Sequence, residues 1–271
     1  MNFFKKIFSH QPVANEVNKD VPFSEKTFFR SVEVKEWYNP IILGPSTVSA
    51  QATDPACLRQ VAEIIRKLED DDYIHYLLEY YLAGLERFGK YWRYADISTV
   101  LLSVAQLIQP KNYLEIGVRR GRSLAMVAVT CPHCEIVGFD LWIADYAGMP
   151  NPGPDFVRME MEKLGYLGKL TLISGDSHQT LSRYFAKNPN SYFDLITVDG
   201  DHSEQGAEQD LLDVIPRLNI GGAIVFDDIS HPNHPYLAEV WKKVVSSNPR
   251  FTTWEYTELG YGVAVGIRQA T

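Results

Sequence analysis

The sequence is poor in cysteine, in positive charge and in long apolar runs, and each shortage excludes a class of protein. Its 271 residues contain three cysteines, Cys57, Cys131 and Cys134, too few for the disulfide framework of a secreted protein, so we expect a cytoplasmic one. Lysine and arginine total 26 against 34 aspartates and glutamates. This excess of negative charge makes nucleic acid an unexpected partner. No apolar run has the length of a transmembrane segment.

The remaining composition is that of a globular enzyme-sized protein. Hydrophobic residues make up 45% of the chain, which is enough to bury a sizeable core. We divide the chain into an irregular N-terminal arm (1–53), a helical extension (54–110) and an α/β domain (111–271). The apolar start, Met1–Phe8, is too short for a signal sequence or a membrane span, and it is consistent with a frayed helix, a contact with another subunit or a weak membrane-surface anchor. We expect a homo-oligomer in which this terminus and the helical extension bury each other's apolar faces.

Two patterns in the first half of the chain resemble metal sites. Cys131 and Cys134 have CxxC spacing, but without a second pair of ligands we interpret them as part of a loop rather than a zinc site. Asp70, Asp71 and Asp72 precede an apolar, aromatic segment. Carboxylates favour the positive end of a helix, so we interpret these three as a helix start rather than a metal cluster.

From residue 112 onward, short β-rich apolar runs alternate with helical stretches, which is typical of βαβ units. Five such runs predict a doubly wound, mainly parallel, Rossmann-like sheet. Two later runs are joined by a short connection, which can only link antiparallel strands, so the seven-stranded sheet should end in a hairpin. The seven runs are Tyr113–Ile116, Ile136–Phe139, Leu170–Ile173, Leu195–Val198, Ala223–Phe226, Thr252–Tyr256 and Gly262–Ile267.

The ends of the first two strands point to a nucleoside-containing cofactor. In open α/β sheets, ligands bind beyond the carboxyl ends of the strands. Gly117 and Gly121 allow a tight turn after the first strand, and Asp140 follows the second strand at the spacing of a ribose-binding carboxylate. Glu115 stands where a dinucleotide site has its first glycine, and it would repel a pyrophosphate but suit a cationic amino group.

The ends of the next three strands are acidic. Ser174 and Asp176 follow the third strand, and either an adenine amine or the N-cap of a helix at Ser177 explains them equally well. Asp199 follows the fourth strand, and Asp227 and Asp228 follow the fifth. These last carboxylates predict a divalent cation such as magnesium, with helix capping by Asp201 or Ser203 as the alternative for part of the cluster.

One histidine and two loops lie beside these acids. The ordinary pKa of His202 suits a general base, although a single histidine is more often structural. The Pro- and Gly-rich segment 142–154 follows Asp140 and predicts a lid or substrate wall, with a rigid surface loop as the alternative. We take Trp142, Tyr146 and His231 as candidate substrate contacts.

At this point the chain resembles a known family. The stretch from Tyr113 to about Arg268 resembles class I S-adenosylmethionine-dependent methyltransferases. The segment VDGDHSEQGAEQDLLDVIPRLNIGGAIVFDDI is similar to the branch that contains the macrolide-sugar (macrocin and mycinamicin) O-methyltransferases and cephalosporin-hydroxylase-like proteins. The first 110 residues carry no motif of this family.

The resemblance implies a role for each strand end. Glu115 and Gly117 would border the methionine part of S-adenosylmethionine, Asp140 would hold its ribose, and Asp176 with Ser177 would lie at its adenine. Asp199 and Asp228, with Asp227, would surround a magnesium ion, and His202 would act as base with Asp199 beside it. The remaining cofactor contacts would be Gly121, Ser123, Leu141 and Asp199.

The sequence therefore predicts magnesium-assisted methyl transfer to a hydroxyl of a small molecule. A sugar diol of a natural product or a catechol would offer the cation two adjacent oxygens. Two alternatives stay open at this stage. A hydroxylase on the same fold would need a nicotinamide or an iron site, and His231 or His234 would have to complete the iron site. The chain could instead bind S-adenosylmethionine without catalysis.

Overall fold

A computed structural model of the chain describes residues 42–146 and 148–269, and all structural statements below concern these residues. Four helices come first: α1 (Pro45–Ala52), α2 (Pro55–Ile65), α3 (Asp72–Phe88) and α4 (Ile97–Ile108). The α/β part then begins with β1 (Asn112–Ile116), α5 (Arg122–Thr130) and β2 (Glu135–Asp140). The subunit contacts expected of Met1–Phe8 lie outside the described residues.

The second half of the chain completes the sheet. A small hairpin, β3 (Asp145–Tyr146) and β4 (Met149–Pro150), precedes α6 (Pro154–Lys163). The remaining elements are β5 (Leu170–Ser174), α7 (Ser177–Lys187), β6 (Phe193–Val198), α8 (Glu204–Val214), β7 (Leu218–Asp227), α9 (Leu237–Trp241, continued as a π-helix over Lys242–Ser246), β8 (Phe251–Tyr256) and β9 (Val263–Arg268).

The seven long strands form one sheet in the order β5-β2-β1-β6-β7-β9-β8. The first five strands of this order are parallel, whereas β9 is antiparallel to both β7 and β8. The predicted fold class, a mainly parallel seven-stranded sheet ending in an antiparallel hairpin, is confirmed. The order reverses between β1 and β6, which is where open α/β sheets bind ligands.

Helices cover both faces of the sheet and bury two hydrophobic clusters. Helices α1 to α6 pack on one face with Tyr113, Leu195 and Val225. Helices α7 to α9 pack on the other face with Leu114 and Phe139. Because strand residues alternate between the faces, neighbouring residues of one strand belong to different clusters.

The prediction of an irregular arm up to residue 53 is wrong for its last turns, because α1 occupies Pro45–Ala52. Pro45 stands at the first helical position, where its missing N–H costs nothing, and Val48 and Ala52 are buried in the shared core. A helix of eight residues has too few apolar positions for its periodicity to be evident in the sequence. The division of the chain into arm, extension and domain stays a prediction.

Helix α4 begins with a capping box that explains its position in the chain. The Asp96 carboxylate accepts a hydrogen bond from Thr99 N at 2.9 Å, and Thr99 Oγ1 accepts one from Asp96 N at 3.0 Å. Helix α4 leads directly to β1, so this start fixes the helical extension against the sheet. Among the described residues, no helix has the length and apolar character needed to cross a membrane.

Candidate active site

The carboxyl ends of β2, β1, β6 and β7 meet at one edge of the sheet. Ile116 lies level with Phe139 and Val198 on its two sides. Gly117 follows at a φ of 91°, and a Cβ at this position would lie 1.9 Å from the Asp199 carbonyl oxygen. Only glycine therefore lets the turns after β1 and β6 approach so closely.

Asp140, the predicted ribose ligand, joins the turns after β1 and β2. One carboxylate oxygen accepts from Arg119 N at 2.6 Å, and the other accepts from Trp142 N at 2.5 Å. Arg119 and Trp142 both have a positive φ, at 51° and 54°. These strained residues aim their N–H groups at Asp140, and each carboxylate oxygen keeps a further lone pair for a ligand.

Glu115 is fully buried beneath this edge. It accepts hydrogen bonds from the hydroxyls of Tyr113 and Ser123, the latter at 2.6 Å. Burial raises the pKa of Glu115 to about 8, above its usual 4.5, and the charges of Asp199 and Asp140 act in the same direction. Gly121 caps the following helix at a φ of 77°. Residues 117–122, the glycine turn, follow directly after β1, and Glu115 lies buried beside them.

The third acidic strand end starts a helix. The Asp176 carboxylate accepts from His178 N at 3.0 Å, so the helix-cap interpretation is confirmed, and Ser177 is the first residue of α7. Ser174 Oγ accepts from the indole N–H of Trp142 at 2.9 Å. The Trp142 side chain therefore reaches toward the end of β5, whereas Leu141 beside it is exposed.

Three of the predicted residues come together at the ends of β6 and β7. Asp199, His202 and Asp228 each offer one atom to a group whose members lie within 4.8 Å of one another. His202 Nε2 lies 3.2 Å from Asp199 Oδ1 and 3.8 Å from Asp228 Oδ2. Asp228 has a φ of 61°, a strained conformation that turns its side chain toward His202.

Within the described part of the chain, this group does not include Asp227, so the predicted ligand set is not brought together as a whole. Residues two positions apart in a strand face the same side of the sheet, so Asp227 faces the same side as Val225, which packs toward the helical extension. Burial raises the pKa of Asp227 well above its usual range, and the charges of Asp199 and Asp228 add smaller shifts in the same direction. Of the two residues considered for helix capping, Ser203 caps α8 by accepting from Gly206 N, whereas Asp201 accepts from Ser203 N just before the helix.

The group carries more negative charge than its histidine balances. Burial raises the pKa of Asp228 to about 6, and the charge of Asp199 adds to the shift. Burial lowers the pKa of His202, but the hydrogen bond to Asp199 and the charges of Asp199 and Asp228 outweigh it, so the net shift is upward. Clustered, half-buried carboxylates of this kind fit a bound divalent cation.

The hairpin β3–β4 covers the group from outside. Tyr146 Oη lies 3.2 Å from His202 Nδ1, and the Tyr146 carbonyl accepts from Arg119 Nη2 at 3.2 Å. His231 lies in the turn after Asp228, where its N–H donates to the Asp228 carbonyl and its ring contacts Tyr261 at 4.4 Å. The segment predicted as a lid or wall does border the site.

The helical extension is attached to the glycine turn by contacts that were not predicted from the sequence. Asp71 caps α3 by accepting from Ile74 N, as its interpretation as a helix start predicts. The same carboxylate also binds Arg120 Nε at 2.9 Å and pairs with Arg122. The signal in the sequence was the presence of Arg120 and Arg122 in this turn, because an arginine charge requires a partner once it is buried.

Comparisons with known proteins agree with this geometry. Residues 114–229 match the family model of a methyltransferase domain. Tapetum-specific methyltransferase 1 of Arabidopsis thaliana is 30% identical over 150 residues, which are 54% of this chain and 60% of that protein. The chain thus spans about 60% of the length of this curated relative.

Three solved structures have a similar fold. The calicheamicin methyltransferase CalS11 is 21% identical, with a TM-score of 0.51 and coverage of 80% of this chain and 92% of that chain. The O-methyltransferase TomG from Streptomyces achromogenes, in complex with SAM, is 17% identical, with a TM-score of 0.50 and coverage of 79% and 90%. The O-methyltransferase from Bacillus cereus, in complex with SAH, is 15% identical, with a TM-score of 0.50 and coverage of 79% and 91%.

At such identities the structures establish the fold, and the family model identifies the segment that carries the acidic strand ends. The fold expected from the resemblance to class I methyltransferases is confirmed, and the matched segment agrees with that resemblance. Residues 114–229 are therefore similar to a methyltransferase domain, and the chain has the Rossmann-like fold that these methyltransferase structures share.

Proposed function

We propose that this protein transfers a methyl group from S-adenosylmethionine to a hydroxyl of a small molecule, assisted by a divalent cation. The observation that carries the proposal is the group of Asp199, His202 and Asp228 at the sheet edge, beside the turn that Asp140 organises. A base between two carboxylates is suited to deprotonating a hydroxyl. A sugar diol of a natural product or a catechol fits this arrangement best.

The cofactor would lie along the ends of β1, β2 and β5. The free lone pairs of Asp140 would accept hydrogen bonds from the ribose hydroxyls, with the backbone N–H groups of Arg119 and Trp142 holding the carboxylate in place. Adenine would lie near Leu141, Asp176 and Ser177. We reassign Trp142 from the acceptor to this nucleoside side, because its indole is bonded to Ser174.

The methionine part of the cofactor would lie at the glycine turn. Gly117 and Gly121 leave it room, and Ser123 with Glu115 would support the turn from below. Because Glu115 is buried with its carboxyl bonded to two hydroxyls, its contribution would be mainly to the shape of the turn. Asp199, whose backbone contacts Gly117, would lie between the cofactor and the acceptor.

The donor set fits a magnesium or manganese ion held by Asp199 and Asp228, with Asp227 below them. Carboxylate oxygens are the ligands that such ions prefer. Burial, and after it the charge of Asp199, raises the pKa values of Asp227 and Asp228, and a bound cation would offset both effects. When bound, the cation would lower the pKa of the acceptor hydroxyl.

His202 would take the proton from that hydroxyl. A carboxylate can only accept, so the contact with Asp199 places a proton on Nε2 and leaves Nδ1 as the basic nitrogen. Tyr146 Oη now lies at Nδ1, and the acceptor hydroxyl would take its place. The charge of Asp199 would then stabilise the protonated ring, as the upward shift of its pKa indicates.

The hydroxylase alternative has less support from the geometry. An oxygen-activating iron site needs two histidines and one carboxylate. Among the described residues, the group at the sheet edge contains one histidine and two carboxylates. His231 and His234 lie outside this group, although the His202 and His234 rings are 5.2 Å apart.

The proposal is tested by following the labelled methyl group of S-adenosylmethionine onto a panel of sugar diols and catechols. We expect transfer that a chelator abolishes and that added magnesium or manganese restores. Asp199→Asn should lose activity, whereas Asp155→Asn, which changes a fully exposed carboxylate on α6, should not. Full transfer in excess chelator together with unchanged rates in Asp199→Asn would contradict the assigned metal site.

A further inference from the structure

The glycine turn carries three arginines, and the structure uses them differently. Arg120 and Arg122 are largely buried and share the carboxylate of Asp71. Arg120 also donates to the Pro150 carbonyl of the hairpin at 3.2 Å. One carboxylate thus pairs with both cations and holds them in place.

Arg119 forms no ion pair with any carboxylate in the described ranges. Its side chain makes one hydrogen bond, from Nη2 to the Tyr146 carbonyl. A guanidinium has five N–H donors in a planar fork, so most of its donors are left for a ligand. Arg119 as a whole is half-buried, and the hydrogen bond of its guanidinium lies on the solvent-accessible side of the site, where a ligand can reach it.

Two aromatic rings hold the guanidinium in place. It lies 5.0 Å from the centre of the Tyr146 ring and 5.9 Å from that of Tyr73. Tyr73 belongs to the first turn of α3, which Asp71 locks onto the glycine turn, and Tyr146 belongs to the hairpin over His202. Ring contacts of this kind stabilise the cation while its N–H edges stay available for hydrogen bonds.

The position of Arg119 connects this cation to the site. Its backbone N–H donates to Asp140. Its guanidinium donates to the Tyr146 carbonyl, and the Tyr146 hydroxyl contacts His202. Arg119 is therefore joined through its backbone to the assigned ribose ligand and through its side chain to the hairpin residue that contacts the base. In an edge otherwise lined by Asp140, Asp199 and Asp228, it is a positive group that those acids leave unpaired.

We infer that Arg119 is the binding residue for an anionic group, a carboxylate or a phosphate, on a ligand that lies beneath the hairpin β3–β4. The inference rests on the proposed function, since the ligand is either the cofactor, through the carboxylate of its amino acid part, or an acceptor that carries an anionic group. A planar guanidinium binds either group through two parallel N–H bonds. The carboxylates of Asp140, Asp199 and Asp228 would repel an anionic group from the rest of the edge. Arg119 would therefore also fix the orientation in which such a ligand binds.

Calorimetry separates the two sources. Wild type, Arg119→Met and Arg119→Lys are titrated with S-adenosylhomocysteine and with its decarboxylated analogue, which keeps the nucleoside and the amino group. The protein saturated with S-adenosylhomocysteine is then titrated with inorganic pyrophosphate. Arg66→Met, which removes an exposed arginine at the end of α2, is the matched control.

If the cofactor is the source, Arg119→Met should bind S-adenosylhomocysteine about 10- to 100-fold more weakly, with unchanged affinity for the decarboxylated analogue. If an acceptor anion is the source, Arg119→Met should lose pyrophosphate binding and keep both nucleosides. Arg119→Lys should recover part of the affinity in either case, because it keeps the charge but not the fork.

Equal affinities of wild type and Arg119→Met for all three ligands would overturn the inference while leaving the proposed function intact. So would a wild type that binds S-adenosylhomocysteine without discriminating against the decarboxylated analogue and that does not bind pyrophosphate. Failure of wild type to bind either nucleoside would instead contradict the proposed function itself. The two claims are therefore tested separately.

Discussion

Removing the Asp71 carboxylate should destabilise the whole fold, because this one group anchors the helical extension to the glycine turn. The side chains of Asp71, Arg120 and Arg122 are 17%, 9% and 11% exposed. Deleting one partner of a buried ion pair leaves the other charge uncompensated and costs about 3–5 kcal/mol. Loss of the N-cap of α3 adds about 1 kcal/mol.

We therefore expect Asp71→Ala to lower the free energy of unfolding by about 4–6 kcal/mol, the sum of these two contributions. Urea unfolding followed by circular dichroism measures this change directly. In a chain of this size, Tm should fall by roughly 10 °C or more. Asp71→Asn should lose less, since asparagine is a good N-cap and retains an oxygen for Ile74 N.

The neighbouring residue provides the control. Asp70 is 73% exposed and pairs with His75, which is also exposed, so Asp70→Ala should change the free energy of unfolding by less than about 0.5 kcal/mol. If Asp71→Ala behaved like Asp70→Ala, the two arginines would be held by other interactions, and the attachment of the extension to the site would have to be abandoned.

Three further predictions concern the site. Gly117→Ala should fail to fold or lose ligand binding, because its Cβ would overlap the Asp199 carbonyl oxygen. Circular dichroism and calorimetry measure these two effects, and a variant that behaves like the wild type would refute the close approach of Gly117 to Asp199. Asp140→Ala should weaken binding of S-adenosylhomocysteine by about 1–3 kcal/mol in calorimetry, and an unchanged affinity would remove Asp140 from the ribose site. Burial raises the pKa of Glu115 to about 8, so the folded state holds a proton that the unfolded state releases above 4.5. The stabilising contribution of Glu115 should therefore be present at low pH and be lost as the pH rises through about 8; urea unfolding across this range should show a slope that Glu115→Gln flattens, and an equal slope in both proteins would contradict the shift.

Much of the fold and of the site could be predicted because both follow from local patterns. Buried parallel strands read as short apolar runs, and the acidic residues after them necessarily meet at one sheet edge. This is why Asp199, His202 and Asp228 could be expected together before their positions were known. Asp227 is the exception. Neighbouring residues of a strand face opposite sides of the sheet, and Asp227 faces the side of the helical extension together with Val225.

Features that depend on distant contacts could not be predicted. Asp71 precedes Arg120 by 49 positions, and only the packed structure shows that one carboxylate caps a helix and pairs with two arginines. The distribution of partners among the arginines of the glycine turn follows from the same packing. The hairpin β3–β4 has strands of two residues, too short for an alternating pattern.

The proposed function requires that the sheet edge binds S-adenosylmethionine or S-adenosylhomocysteine. Calorimetric titration of the purified protein with S-adenosylhomocysteine and with NAD tests this requirement without knowledge of the acceptor. We expect saturable one-to-one binding of S-adenosylhomocysteine and no binding of NAD, because Glu115 takes the place of the glycine that a pyrophosphate needs. Binding of NAD with no response to S-adenosylhomocysteine would contradict it.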